Sequence, residues 1–201
     1  MTSLETLNQA LFLRLNADLA TAAWKLQIAA ITADYLIYLT PLMLVGLWCW
    51  GNESQRALAL KACVVALVAL GINQLLSIVW PHPRPFMIGL GHTFIPHAAD
   101  SSFPSDHITV FAAIGLTLVF GYIRSVAGWA TLALGVCVAW ARIFLGVHFP
   151  LDMVGAVLIV CAVWLAISPA WRRFGERITE QAVGIYRIIL AYPIAAGWIC
   201  R

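Results

Sequence analysis

Apolar residues in this chain fall in five long blocks separated by short polar breaks: about Leu26 to Trp50, Ala57 to Trp80, Ser105 to Ile123, Val126 to Phe144 and Leu151 to Ala170. Each is near the roughly 20 residues that a helix needs to cross a hydrocarbon core, and none alternates as a barrel strand does. Lipid offers no partner to backbone groups, so spanning segments are helices or closed barrels. The pattern therefore predicts an all-α, polytopic integral membrane bundle of about five transmembrane helices. Ahead of the first block, Leu4, Leu7, Leu11, Leu15 and Leu19 form one helical stripe, which predicts an interfacial helix. After the fifth block, Gln181 to Cys200 is apolar but interrupted by Arg187 and Pro193, and it reads as a basic interfacial segment rather than a sixth span. The organisation is a single membrane domain, with residues 1–24 interfacial, 25–170 the transmembrane core and 171–201 the C-terminal segment.

Composition sharpens this. Residues of the AVILMFWYC set make up 62% of the chain and charged residues 10%, against roughly a quarter charged in soluble domains. Mean hydropathy is +0.89, and a water-facing surface could not be built from such a chain. A net charge of +3, spread over the flanks of the blocks, gives no basic stripe for nucleic acid. The five cysteines sit within or at the ends of apolar blocks and read as small hydrophobes. The start, Met1 to Glu5, lacks the basic region of a cleaved signal. Lys61 is expected to snorkel from its span.

Two connections carry the unusual chemistry. Pro81 to Pro104 is long, rich in proline and histidine, and contains Arg84; Ala141 to Pro150 contains Arg142 and His148. Counting spans puts both at one membrane face. Arg56, Lys61, Arg124, Arg172, Arg173 and Arg177 collect at the other, so the positive-inside bias turns the histidine face to the periplasm and the C-terminus to the cytoplasm.

Within those connections lie Arg84-Pro85, then Phe103-Pro104-Ser105-Asp106-His107, then Arg142 followed by His148 and Asp152. Arginine's planar fork suits a phosphoryl group, and two arginines can neutralise charge that develops on transfer. Ser105, Asp106 and His107 open the third span, where unpaired N–H groups and the helix dipole favour an anion. His148 and Asp152 are one helical turn apart, so the carboxylate can orient one ring nitrogen while the other attacks phosphorus.

These segments resemble the three-part signature of the type 2 phosphatidic-acid phosphatase superfamily: Lys-x6-Arg-Pro, Pro-Ser-Gly-His and Ser-Arg-x5-His-x3-Asp. Phe103 to His107, the preceding His97-Ala98-Ala99-Asp100 and the short five-span layout most resemble the undecaprenyl-diphosphatases of the bacitracin-resistance type. The resemblance covers about Ala57 to Ala170. It implies hydrolysis of a polyprenyl diphosphate lipid in the bacterial inner membrane, with no metal or other cofactor. Carried onto matching positions, His148 becomes the nucleophile that forms a phosphohistidine, Asp152 aligns it, and His107 protonates the leaving oxygen. Arg84, Ser105 and Arg142, with Asp106 beside them, would hold the phosphate.

This chain departs from the signature in three places. Ser77 stands where the family has lysine, leaving Asn73 and Ser77 as a polar stripe and His82 as a candidate cationic substitute. Asp106 replaces glycine, and its charge is unfavourable beside phosphate unless the side chain turns away as a helix cap. Ala141 replaces the serine before Arg142. Asp34, inside the first span, is expected to support an active-site arginine. His97 is a candidate contact for a second phosphate, whereas His92 has no assigned role. Other lipid phosphates are the alternative substrates. A zinc hydrolase is disfavoured by the ligand spacing, and a lipid or anion transporter by the absence of repeated halves.

Overall fold

Asn52 and Gln55 show how the polar breaks start helices in this chain: each side chain satisfies the other's backbone N–H in a reciprocal capping box. The computed structural model describes residues 3–122 and 124–200, and every regular element in them is helical. Ile123, the expected end of the third span, lies outside the described residues, as do Met1, Thr2 and Arg201. Helix α1 (Ser3–Leu15) precedes the first span, which is α2 (Ala23–Tyr35) and α3 (Leu39–Trp50) joined by a 3-10 turn, Leu36–Tyr38. There follow α4 (Glu53–Val79), α5 (Asp106–Gly121), α6 (Val126–Phe144), α7 (Pro150–Ile189) and α8 (Ala191–Ala195). The chain is an integral membrane protein.

The break in the first span has a local cause. Pro41 has no N–H to give the carbonyl of Ile37, and the Thr40 hydroxyl donates to that oxygen instead, at 2.8 Å.

Four helical segments are long and apolar enough to span: Ala23–Trp50, Glu53–Val79, Val126–Phe144 and Pro150–Ile189. The third expected span, α5, has 16 residues, only about 24 Å of helix. It serves as the central helix, packed against α4, α6 and α7. Its close contact with α6 depends on missing side chains, since a Cβ at Gly128 or Gly135 would collide with Val119 or Phe111.

Helix α7 runs 40 residues without a break at Ala170 and passes through Pro169. The expected C-terminal segment is thus helical but continuous with the fifth span. Its end folds back on the α3–α4 connection: Cys200 N–H donates to the Cys49 carbonyl at 2.8 Å, and Trp50 Nε1 to the Trp198 carbonyl at 3.0 Å. Lys61 does not snorkel. It is buried, donates to Ser168 Oγ at 2.9 Å and lies 4.2 Å over the Trp164 ring.

The leucine stripe of α1 faces outward, while Phe12 packs on Phe149 and Asn8 accepts the Leu151 N–H at 3.1 Å. The N-terminal helix thereby caps the start of α7, where the histidine–aspartate pair sits.

Candidate active site

The α4–α5 loop and the α6–α7 turn meet at one end of the bundle, as the span count requires. Phe94 N–H donates to the Leu145 carbonyl at 3.1 Å, and Ser105 N–H to the Asp152 carbonyl at 3.3 Å. Gly146, at φ 84°, supplies the left-handed residue that lets α6 turn sharply towards His148. Between the loops lies a polar pocket of about 280 Å³, whose wall includes Ser77, Arg84, His97, Asp106, His107, Arg142 and His148.

Arg84 is buried just before the 3-10 turn Pro85–Ile88. Its Nε donates to Asp100 Oδ1 at 2.8 Å, Nη2 to the Ser101 carbonyl at 3.2 Å, and Nη1 to the Val147 carbonyl at 2.8 Å. Nη1 is also 3.1 Å from His148 Nε2. A guanidinium only donates, so Nε2 is the acceptor and the His148 proton resides on Nδ1. That atom is 3.1 Å from Asp152 Oδ2. Asp152, buried in the first turn of α7, also accepts the Phe149 N–H at 2.8 Å. Burial pushes the His148 imidazole down to about 4, against the raising influence of the Asp152 hydrogen bond and charge. At neutral pH it is an uncharged base with its Nε2 lone pair in the pocket.

Arg142 occupies the last turn of α6. Nη1 donates to the Ala33 carbonyl at 3.2 Å and lies 3.1 Å from His107 Nε2; Nη2 lies 3.0 Å from His97 Nε2. Asp34 Oδ1 is 3.9 Å from Nη1, the arginine contact expected from sequence. Burial and the Arg84 charge lower His97 from its ordinary value, so it too is a neutral acceptor. Burial works to raise the Asp100 carboxyl, but its hydrogen bond and charge pairing with Arg84 outweigh that and leave it below the usual range.

Other predicted residues are placed differently. Ser105 is the N-cap of α5, fully buried; its hydroxyl has no hydrogen-bond partner among the described residues, and it is not on the pocket wall. The Asp106 carboxylate does not cap the helix. Its two oxygens accept amide donors of α4, Asn73 Nδ2 at 2.8 Å and Gln74 Nε2 at 3.1 Å, because the polar stripe of α4 faces the start of α5. It is therefore not a phosphate donor through its side chain. His82 does not replace the missing lysine: it lies off the pocket wall, 3.8 Å from Glu5 Oε2 and edge-on to Phe149. His92 is exposed, and its backbone is anchored by Asn16.

Sequence reasoning missed Ser102, whose hydroxyl donates to Asp152 Oδ2 at 2.5 Å. It also missed the Arg84–Asp100 pair. Both lie in an irregular loop whose contacts are set by tertiary packing. Among the described residues, no three His, Cys, Asp or Glu side chains are arranged to hold a metal ion.

Residues 58–176 match the model of the PAP2 superfamily. The chain belongs to the PAP2 superfamily. The matched segment starts in α4 and ends in α7, and so contains the whole pocket. YbjG of Escherichia coli (strain K12) is 38% identical over 98% of this chain and 98% of its own. Undecaprenyl-diphosphatase BcrC of Bacillus subtilis (strain 168) is 35% identical, over 78% of this chain and 80% of its own. A similar fold is seen in Aquifex aeolicus LpxE, with a TM-score of 0.61 and 22% identity, covering 80% of this chain and 93% of that one.

Proposed function

We propose that this PAP2 protein is a lipid phosphatase that hydrolyses undecaprenyl diphosphate to undecaprenyl phosphate and inorganic phosphate. Similarity to an undecaprenyl-diphosphatase along most of the chain supports the substrate. The observation that carries the chemistry is the line from Asp152 through His148 Nδ1 and Nε2 to Arg84, in a polar pocket where Arg84 and Arg142 offset the carboxylates of Asp100 and Asp106.

In this reading His148 Nε2 attacks the terminal phosphorus. A P–N bond forms as the bridging P–O bond breaks, and His107, which takes up a proton with the incoming diphosphate once Arg142 leaves its Nε2 for the phosphate, gives that proton to the departing lipid phosphate oxygen. Arg84 and Arg142, whose guanidinium groups now meet imidazole lone pairs, turn onto phosphate oxygens and carry the developing charge. Water, deprotonated by His107, then attacks the phosphohistidine; the P–N bond breaks, phosphate leaves and His148 is restored. Asp152 holds Nδ1–H throughout and stabilises the imidazolium character of the intermediate.

The lipid suits the surroundings, because Leu75, Ile78 and Val79 are exposed apolar residues on α4 beside Gln74 and Ser77. An isoprenoid can remain in the bilayer while its diphosphate reaches the pocket. The positive-inside distribution supports a periplasmic site and a cytoplasmic C-terminus, with α7 beyond Trp171 and the tail forming the basic inner-face segment.

The test compares phosphate release in detergent from undecaprenyl diphosphate, phosphatidic acid and phosphatidylglycerophosphate, with and without chelator, beside His148→Ala. The reading expects undecaprenyl diphosphate to have the highest kcat/KM and His148→Ala to be inactive. Preference for another lipid overturns the substrate, and lipid or anion flux that survives His148→Ala with no phosphate release overturns the enzyme.

A further inference from the structure

We propose that Ser102 is a positioning residue for this reaction, its hydroxyl fixing the Asp152 oxygen that holds Nδ1–H of His148. The inference rests on the phosphatase reading above and adds a residue outside the three-part signature.

Ser102 is fully buried and is not on the wall of the phosphate pocket, so it acts through another group. Its main chain is secured independently of its side chain, with the N–H donating to the His82 carbonyl at 2.7 Å. Its hydroxyl donates to Asp152 Oδ2 and lies 3.4 Å from His148 Nδ1. Three donors thus converge on Oδ2: the Phe149 N–H, the Ser102 O–H and the His148 Nδ1–H.

The origin of those donors gives Ser102 its role. Phe149 and His148 belong to the same turn as Asp152, whereas Ser102 comes from the α4–α5 loop, which also carries Arg84 and His97. With only the Phe149 N–H to locate it, the carboxylate can rotate about its Cβ–Cγ bond, and its alignment with Nδ1–H loosens. The hydroxyl closes that freedom and ties the nucleophile's orientation to the loop that binds the phosphate. A hydrogen bond to a charged group is worth about ten- to a hundredfold in an equilibrium or rate. Because Ser102 does not reach the phosphate, the loss should appear in kcat and not in KM.

The experiment uses the full-length protein in detergent, measuring kcat and KM for undecaprenyl diphosphate and the Nδ1 proton resonance of His148 by NMR. Ser102→Ala is expected to lower kcat by about ten- to a hundredfold with KM nearly unchanged, and to move the Nδ1 proton upfield as its hydrogen bond weakens. Ser102→Cys, close in size and keeping a weak donor, should recover part of both. The proposal is overturned by an unchanged kcat, by a KM effect with kcat intact, or by a kcat loss with the resonance unmoved. If Ser102→Ala does not fold, the Ser102→Cys resonance decides in the same way. A wild-type protein that releases no phosphate defeats the phosphatase reading, while the resonance comparison still judges the Ser102 contact.

Discussion

Nη1 of Arg84 stands 3.1 Å from Nε2 of His148 and donates at the same time to the carbonyl of the preceding residue, Val147. One guanidinium from the α4–α5 loop therefore fixes the tautomer of a histidine in the α6–α7 turn and braces the backbone that carries it. Lysine, a point charge, could not make these contacts together with those to Asp100 and Ser101. Arg84→Lys should lower kcat/KM for the lipid diphosphate by about 10²- to 10³-fold. Steady-state phosphate release checks this, and retention of more than a tenth of the wild-type value would contradict the bracing role.

His148 is held at about 4 by burial, against the ordinary imidazole value of 6.5. Between those limits the unfolded chain binds a proton that the folded protein refuses, so this group's contribution to stability is present above pH 6.5 and is lost as pH falls through about 4. NMR titration of the imidazole should find it neutral from pH 8 down to about 5. Asp152→Asn, which removes the raising influence, should move its titration lower still. Titration of His148 near the ordinary value would contradict the buried, neutral nucleophile.

Asp34 faces Arg142 across 3.9 Å and is about half exposed, at 47%. Exposed pairs contribute about 0–1 kcal/mol, and Arg142 is also held by the Ala33 carbonyl. Asp34→Ala should therefore raise KM by less than about fivefold, with kcat unchanged. Enzyme kinetics at low and moderate salt check the value, and a large fall in kcat would assign Asp34 a direct part in the chemistry.

Asp106 joins α5 to α4 through Asn73 and Gln74, and puts a negative charge on the pocket wall. Asp106→Gly, the residue of the family signature, should lower KM by relieving repulsion of the diphosphate. It should also destabilise the protein by about 1–3 kcal/mol, as the buried Asn73 amide loses one of its acceptors. Thermal unfolding in detergent and KM measured on the same sample check the two effects, which have opposite consequences for function.

Much of this was legible in the sequence because lipid imposes simple rules. Apolar block length located four spans, and parity alone brought Arg84, Arg142 and His148 to one end. The one-turn spacing of His148 and Asp152 announced their hydrogen bond. What was not legible depends on partners distant in sequence. Nothing in Asp100-Ser101-Ser102 tells which serine turns inward, and Asn8 meets Leu151 only after the whole bundle has formed. Lys61 was misread because a span's periodicity does not reveal that Ser168 and Trp164 surround its ammonium group. Asp106 was read as lying beside the phosphate unless it turned away as a cap, because its neighbours along the chain do not reveal that the amides of α4 take its carboxylate.

The central claim is a covalent phosphohistidine at His148. Its most direct test is acid-labile labelling: mix the protein with undecaprenyl diphosphate radiolabelled in the terminal phosphate, quench within one turnover in alkali, and locate the label by peptide mapping. The account predicts label on the peptide containing His148, lost in acid, absent from His148→Ala and prolonged in His107→Ala, where hydrolysis of the intermediate is slowed. Phosphate release at the wild-type rate by His148→Ala, or label on any other residue, would contradict it.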